Sequence, residues 1–204
     1  MSKSSTENVV EQKSTAEEDL ALIRKMMLEA QSSAAIDGRH LVLWGSILGF
    51  AQALVLLNIG QAGDAGRTIL IWFVLLGAGI VGSAILGYKY SQRPVNLAVR
   101  LYSSVWIGFC LTMCLLFVLA VAGHQEILFS LSVVAPAMTG LAFFVTASII
   151  GMGWLRWIAL CWWLTAIASA VFSNSSYLEY IFIFAYLFLM AGPGLVMTRS
   201  GRRA

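Results

Sequence analysis

The two histidines, His40 and His124, are the side chains best suited to acid–base or metal chemistry near neutral pH. His124 stands two residues before Glu126, and such a pair could bind a metal ion or exchange a proton. A metal site needs about three or four ligands, however, and the two histidines fall on opposite sides of the membrane in the topology derived below. We therefore interpret His124 as part of a solvated turn, and we expect no catalytic, cofactor-binding or metal-binding residues.

The three cysteines lie in apolar stretches of the chain. Cys110 and Cys114 are four residues apart and share one helical face, so that with Cys161, Met113 and Met138 they could form a soft site for Cu(I). Small apolar residues at helical spacing explain the same pattern, and no histidine or acidic residue provides a path for the ion. We interpret the cysteines as small hydrophobic residues, and their odd number argues against a disulfide framework.

Other polar and helix-breaking residues interrupt the apolar stretches. Gln52 needs a hydrogen-bond partner where water is absent. A bond to a neighbouring helix, for example through Ser83, Thr112 or Thr146, is favoured over a place in a binding cavity. Two prolines remove backbone donors, and each is interpreted as a kink in preference to a break that forms a site. A cavity, if present, is expected to involve Gln52, Thr112, Pro136 and Pro193.

The elements that must position these residues are apolar. Of the 204 residues, 59% are hydrophobic and 11% are charged, whereas soluble domains carry about 25% charged residues. Six apolar runs have about the length that a bilayer requires. They cover residues 41–60, 68–88, 101–122, 127–150, 157–172 and 178–197. The composition therefore predicts an all-α integral membrane bundle of six transmembrane helices in contact with the lipid bilayer.

The charged residues stay outside the middle of these runs. Arg100, Arg156 and Glu179 lie at predicted membrane edges. Proton pumps, ion pathways and voltage sensors normally need ionisable groups inside the membrane, so the pattern argues against a proton-coupled pump. It leaves open a transporter or channel for a neutral or apolar molecule.

The segment before the first run predicts a cytoplasmic helix. Residues 1–14 have the composition of a disordered tail, and capping-box spacing indicates a helix over residues 15–38. Its segment 17–29 holds four acidic and two basic residues, whereas helices that bind anionic lipid are normally basic. We therefore expect its apolar stripe to contact protein through Leu20, Ile23, Met27 and Ala30. A transmembrane domain over 39–198 and a basic tail over 199–204 complete the predicted organisation.

The basic residues predict the orientation. Twelve of the 13 Lys and Arg residues fall on the side shared by both termini, and only Arg67 falls on the other. This bias places the N- and C-termini in the cytoplasm. The net charge of +3 comes without a basic stripe interleaved with aromatic residues, so no nucleic-acid partner is expected.

Small residues recur at helical spacing in the first two runs. Such rows allow close approach of helix backbones, either inside the bundle or against a membrane-protein partner or a second copy. Internal packing is the favoured interpretation, and contact with a partner is the alternative. The residues expected to make these contacts are Gly45, Gly49, Gly79, Ser83 and Gly87.

Two segments of the chain resemble a recurring bacterial pattern. They are Ile23-Arg-Lys-Met-Met-Leu-Glu-Ala30 and Leu41-Val-Leu-Trp-Gly45. The chain is similar here to uncharacterised small multi-pass bacterial membrane proteins that begin with a cytoplasmic Ile-x-x-Met-Met-x-Glu helix and enter the membrane at Trp-Gly. The similarity covers about a quarter of the chain. It implies a bacterial inner-membrane location and brings no catalytic residues.

Two functional hypotheses follow from these features. The first is a non-enzymatic inner-membrane protein that acts through protein contacts in an accessory, regulatory or assembly role. The second is a transporter or channel for a small neutral or hydrophobic solute. A membrane-embedded enzyme ranks third, because no cluster of His, Asp and Glu marks an active site.

Overall fold

The computed structural model describes residues 38–60, 65–90, 97–123, 126–173, 175 and 177–200, together with Leu20 and Leu22. The chain divides into two compact units, residues 1–35 and residues 36–204. In the first unit Leu20 and Leu22 are helical, and Leu20 is 64% exposed. The remaining residues of the predicted cytoplasmic stripe, Ile23, Met27 and Ala30, lie outside the described residues, as do the predicted tail 1–14 and residues 201–204.

The described part of the second unit is all-helical. Its helices are α1 (Arg39–Gly60), α2 (Ala65–Tyr90), α3 (Leu97–Val121), α4 (Glu126–Ile150) and α5 (Trp154–Val171). The last, α6, joins an α-helical segment Tyr177–Phe184, a π-helical segment Ala185–Ala191 and an α-helical segment Gly192–Ser200. Each of the six helices is long and apolar enough to cross a membrane, which confirms the predicted number of such helices.

The connection between α4 and α5 is only three residues long. Gly151 has a φ of +75°, a backbone conformation that residues other than glycine rarely adopt. Its N–H donates to the carbonyl of Ala147 at 3.0 Å, which closes the last turn of α4. The N–H groups of Leu155 and Arg156 bond to the turn carbonyls of Met152 and Gly153, so α5 begins three residues earlier than the sequence indicated.

The main helix contacts follow the order α3, α4, α5, α6, α1, α2. The first and last of these six helices, α1 and α6, are therefore direct neighbours, and they lie antiparallel. The outer members of the row, α2 and α3, are poorly covered. Only 6% of the most apolar 18-residue stretch of each is buried, against 33–39% in the other four helices.

The core lies where α1, α3, α4, α5 and α6 contribute buried side chains to one cluster. Trp162, Phe143 and Leu155 are fully buried there. Trp106 of α3 meets Phe143 of α4 edge-to-face, with ring centroids 5.3 Å apart and an interplanar angle of 86°. Trp162 of α5 packs on Tyr186 of α6 at a centroid distance of 5.7 Å. Aromatic contacts of this kind fix the relative positions of helices that share a nonpolar solvent.

The contact between α1 and α6 depends on glycines. A Cβ atom added at Gly45 would lie 2.5 Å from the backbone nitrogen of Ala191 and 2.7 Å from the carbonyl oxygen of Tyr186. One added at Gly49 would lie 2.9 Å from the Leu187 side chain. The Gly45–Gly49 pair is thus engaged within the chain, where it allows α1 to approach the π-helical segment of α6.

Pro193 does not open a gap in α6. Its ring lacks an N–H, so it cannot bond to the carbonyl of Leu189 four residues earlier. The indole Nε1 of Trp162 donates to that carbonyl at 3.3 Å. The N–H of Gly192 bonds to the carbonyl of Leu187 five residues earlier, which is the π-helical pattern. A side chain from α5 therefore replaces the backbone donor that proline removes.

Candidate functional site

A polar contact between Gln52 of α1 and Glu179 of α6 stands out among the apolar helices. Gln52 is only 7% exposed, and its side-chain Nε2 donates a hydrogen bond to Oε2 of Glu179. Glu179 lies in the first turn of α6, where the positive end of the helix dipole favours a carboxylate. It is the one acidic residue in the sequence of the six candidate membrane spans.

The observed partner of Gln52 differs from the three that the sequence suggested. Ser83 accepts a bond from Trp44 Nε1 at 2.9 Å, and Thr146 accepts one from Trp106 Nε1 at 3.2 Å. The Thr112 hydroxyl donates to the carbonyl of Gly108 in its own helix, at 2.9 Å. The suggested partners were wrong because α1 pairs with α6, a neighbour relation that spans 127 residues and that no local pattern encodes.

An aromatic layer continues from this polar contact along α6. Tyr186 follows Glu179 by seven residues, two helical turns on, and lies within electrostatic range of its carboxylate. The Tyr186 ring stacks on Phe182, with centroids 6.0 Å apart and an angle of 20° between the planes. Trp162 of α5 packs on the same ring, so that this aromatic layer joins α5 to α6 two turns from the Gln52–Glu179 contact. Its arrangement suits a structural link between helices.

A cavity of about 560 Å³ lies near the end of the bundle at which α4 and α6 begin and α5 ends. Its walls combine hydroxyl groups with short apolar side chains. They are formed by Ser130, Ser132, Val133, Val134, Ser169, Ala170, Ser173 and Leu178. The volume falls within the range of about 300–1,000 Å³ that small-molecule sites occupy.

The residues predicted for a cavity lie elsewhere. Gln52 and Thr112 make the hydrogen bonds described above, and Pro136 and Pro193 are buried in helix packing. None of the four is among the residues that line the 560 Å³ cavity. Its serines were missed because a serine within an apolar helix usually bonds to its own backbone and carries little signal. The one available signal was the recurrence of four serines near the ends of two consecutive runs.

The small residues of α2 divide into two groups. Gly79 and Ser83 face α1, where a Cβ added at Gly79 would lie 2.8 Å from the Trp44 ring. Gly87, predicted to join them, has no atom within 4 Å of an added Cβ. The same is true of Gly77 in α2 and Gly108 in α3. The bundle therefore uses part of the small-residue row and leaves three helical glycines of the outer helices uncovered.

The reactive residues do not form a centre in the described part of the chain. Within it, no three His, Cys, Asp or Glu side chains come together in a way that could hold a metal ion. The thiols of Cys110, Cys114 and Cys161 are not joined in disulfides. Comparison of the chain with models of protein families, with curated proteins and with solved structures finds no match.

Proposed function

We propose that the protein is a non-enzymatic component of the bacterial inner membrane, with both termini in the cytoplasm, that acts through contact with another membrane protein. The role is accessory, regulatory or assembly-related. The observation that carries it is the presence of glycines on the outward surfaces of the two least covered helices. They include Gly77 of α2 and Gly108 of α3.

Among the described residues, none lies close enough to these two positions to require a glycine. In a helix it is less stable than alanine by about 1 kcal/mol, so a helical glycine usually marks a close approach. Gly45 shows such a use, since an added Cβ there would meet the backbone of α6. An added Cβ at Gly77 or Gly108 would meet nothing within 4 Å. A helix of a second protein would supply the missing neighbour.

Both glycines lie between large exposed side chains, and such an uneven surface is suited to helix packing. The Gly77 face consists of Leu70, Phe73, Gly77 and Val81, whose spacing places them on one side of α2. The Gly108 face consists of Leu101, Gly108, Leu111 and Leu115 on one side of α3. In each face a glycine forms a notch between exposed large side chains. In helix packing, a large side chain of one helix enters a groove of the other, so a partner helix could place a side chain at each glycine.

Charge and the N-terminal segment support the same role. Twelve of 13 basic residues lie on the side of both termini, which is the positive-inside pattern of a cytoplasmic-membrane protein. Leu20, in the segment predicted to be cytoplasmic, is 64% exposed and helical. Its exposed side chain can contact a partner.

Photo-cross-linking in the native membrane tests the proposal. A benzophenone amino acid replaces Phe73 of α2 or Leu111 of α3, which are 70% and 66% exposed. The matched control is Leu164 of α5, which is 64% exposed but lies beside no outward glycine. We expect a discrete adduct with a foreign protein from Phe73 or Leu111, and only lipid adducts from Leu164.

Two results would contradict the contact role. One is lipid adducts alone at both test positions. The other is a product with the mass of two copies of this chain and no foreign protein, which would make the glycine faces a homo-oligomer interface.

A further inference from the structure

We propose that the cavity among α4, α5 and α6 is a binding site for a small uncharged molecule that carries hydroxyl groups on a short hydrocarbon body. The chemistry of its described lining, which combines hydroxyl groups with apolar side chains and includes no charged residue, carries this assignment. The site is independent of the glycine faces, because it lies on helices other than α2 and α3.

The cavity has a rim and a floor. Ser130, Ser173 and Ala170 are exposed, whereas Ser169 is fully buried at 0% exposure and Leu178 is also buried. The lining thus runs from the surface of the bundle to its interior. A molecule that enters from the rim would lose contact with water as it reaches Ser169, which is the geometry of a binding pocket.

The polar half of the wall consists of serine hydroxyls. At the floor, the Ser169 hydroxyl donates to the carbonyl of Thr165 at 2.8 Å. A hydroxyl has one proton and two lone pairs, so the Ser169 oxygen retains the capacity to accept a bond. The complementary group on a ligand is a donor, and a ligand hydroxyl can donate to this oxygen.

The other half of the wall is apolar. Val133, Val134, Ala170 and Leu178 contribute short hydrocarbon side chains. Among the described residues that line the cavity there is no Asp, Glu, Lys, Arg or His. Glu179 follows Leu178 directly, but its carboxylate oxygen accepts the bond from Gln52 of α1. A charged ligand would be desolvated here without a counter-charge, so the site selects an uncharged one.

The size admits more than solvent. A water molecule takes about 30 Å³ of liquid volume, far less than the 560 Å³ of the cavity. Two sources share the required chemistry, a water-soluble polyol and the headgroup region of an uncharged glycerolipid. Glycerol serves as the probe for the first source, and vesicles that contain a monoacylglycerol serve as the probe for the second.

Cysteine protection tests the site. In a chain whose cysteines at 110, 114 and 161 are replaced by alanine, Ser169→Cys places a thiol at the floor and Ser132→Cys places one in the wall. The reconstituted variants are treated with methyl methanethiosulfonate, a small uncharged thiol reagent that can enter a site from which charged molecules are excluded. Gly66→Cys, an exposed position where α2 begins at the same end of the bundle, is the control outside the cavity.

We expect the reagent to label the thiol at position 132 or 169 and one probe to slow that labelling saturably, by at least about threefold, because probe and reagent compete for one space. Labelling at Gly66→Cys should not change with either probe. Protection by glycerol assigns a soluble polyol, and protection by monoacylglycerol alone assigns a lipid. Failure of both cavity thiols to react, or labelling that neither probe slows, would overturn the proposal.

Discussion

The bond between Gln52 and Glu179 shows how a single polar pair can specify a helix contact in an apolar bundle. In a nonpolar environment an amide and a carboxylate each need a hydrogen-bond partner. Here the Gln52 amide and the Glu179 carboxylate are partners of each other. Hydrophobic residues cannot distinguish one helix face from another when the solvent is also a hydrocarbon. The helix α1 contacts both α2 and α6. The polar pair helps to specify the contact with α6.

Substitution of Gln52 by leucine should destabilise the bundle. It leaves the Glu179 carboxylate without its amide donor, and an unsatisfied buried polar group costs about 1–3 kcal/mol. Thermal unfolding in detergent micelles should show a lowered midpoint. In the double variant Gln52→Leu, Glu179→Leu most of the loss should disappear, since both polar groups are gone. Equal stability of Gln52→Leu and the unaltered protein would refute the role assigned to this bond.

The helical glycines give a matched pair of substitutions. Gly45→Ala should lower stability by about 1–3 kcal/mol, because its methyl group would overlap the backbone of α6. Gly77→Ala meets no atom within 4 Å and should raise helix stability by up to about 1 kcal/mol. The measurement is again the unfolding midpoint in micelles. Similar changes in the unfolding midpoint of the two variants would contradict the conclusion that Gly45 is closely packed and Gly77 is not.

At the scale of the element, length and hydropathy were sufficient to predict the six helices. Each run needs about 20 apolar residues to cross a bilayer, and that requirement is local. The π-helical segment of α6 was not predicted, because it depends on contacts from α1 and α5. The GxxxG spacing indicated close packing at Gly45 but did not say which helix would approach. The serine-lined cavity likewise requires knowledge of which helix ends meet.

The Trp162 bond to α6 predicts a coupled pair of substitutions. Trp162→Phe removes the donor to the Leu189 carbonyl and should cost about 0.5–1.5 kcal/mol beyond the loss of packing. Pro193→Ala restores a backbone N–H that can bond to the same carbonyl. The cost of Trp162→Phe should therefore be smaller when Pro193→Ala is also present. Strict additivity of the two unfolding free energies would show that the indole does not substitute for the missing donor.

For the whole molecule, the order of helix contacts leaves α2 and α3 as the outer members of the row. They are the helices with uncovered glycines, and they offer the surfaces on which another membrane protein can pack. The N-terminal unit offers a second surface, of which Leu20 is the described part of the predicted stripe. We propose that the same partner contacts both surfaces.

Deletion of residues 15–35 should then abolish association while insertion into the membrane persists. The six apolar helices lie outside the deleted segment, and apolar length is what directs insertion. Membrane fractionation would report insertion, and co-purification from mild detergent would report association. Undiminished co-purification by the shortened chain would remove the N-terminal segment from the contact.

We propose that the protein works as part of a complex with a different membrane protein. The most direct measurement is affinity purification of the tagged full-length chain from its native membrane in mild detergent, with the mass and the components of the particle determined. We predict one foreign membrane subunit in stoichiometric amount. A particle that contains only this chain, in one copy or several, would contradict the contact role.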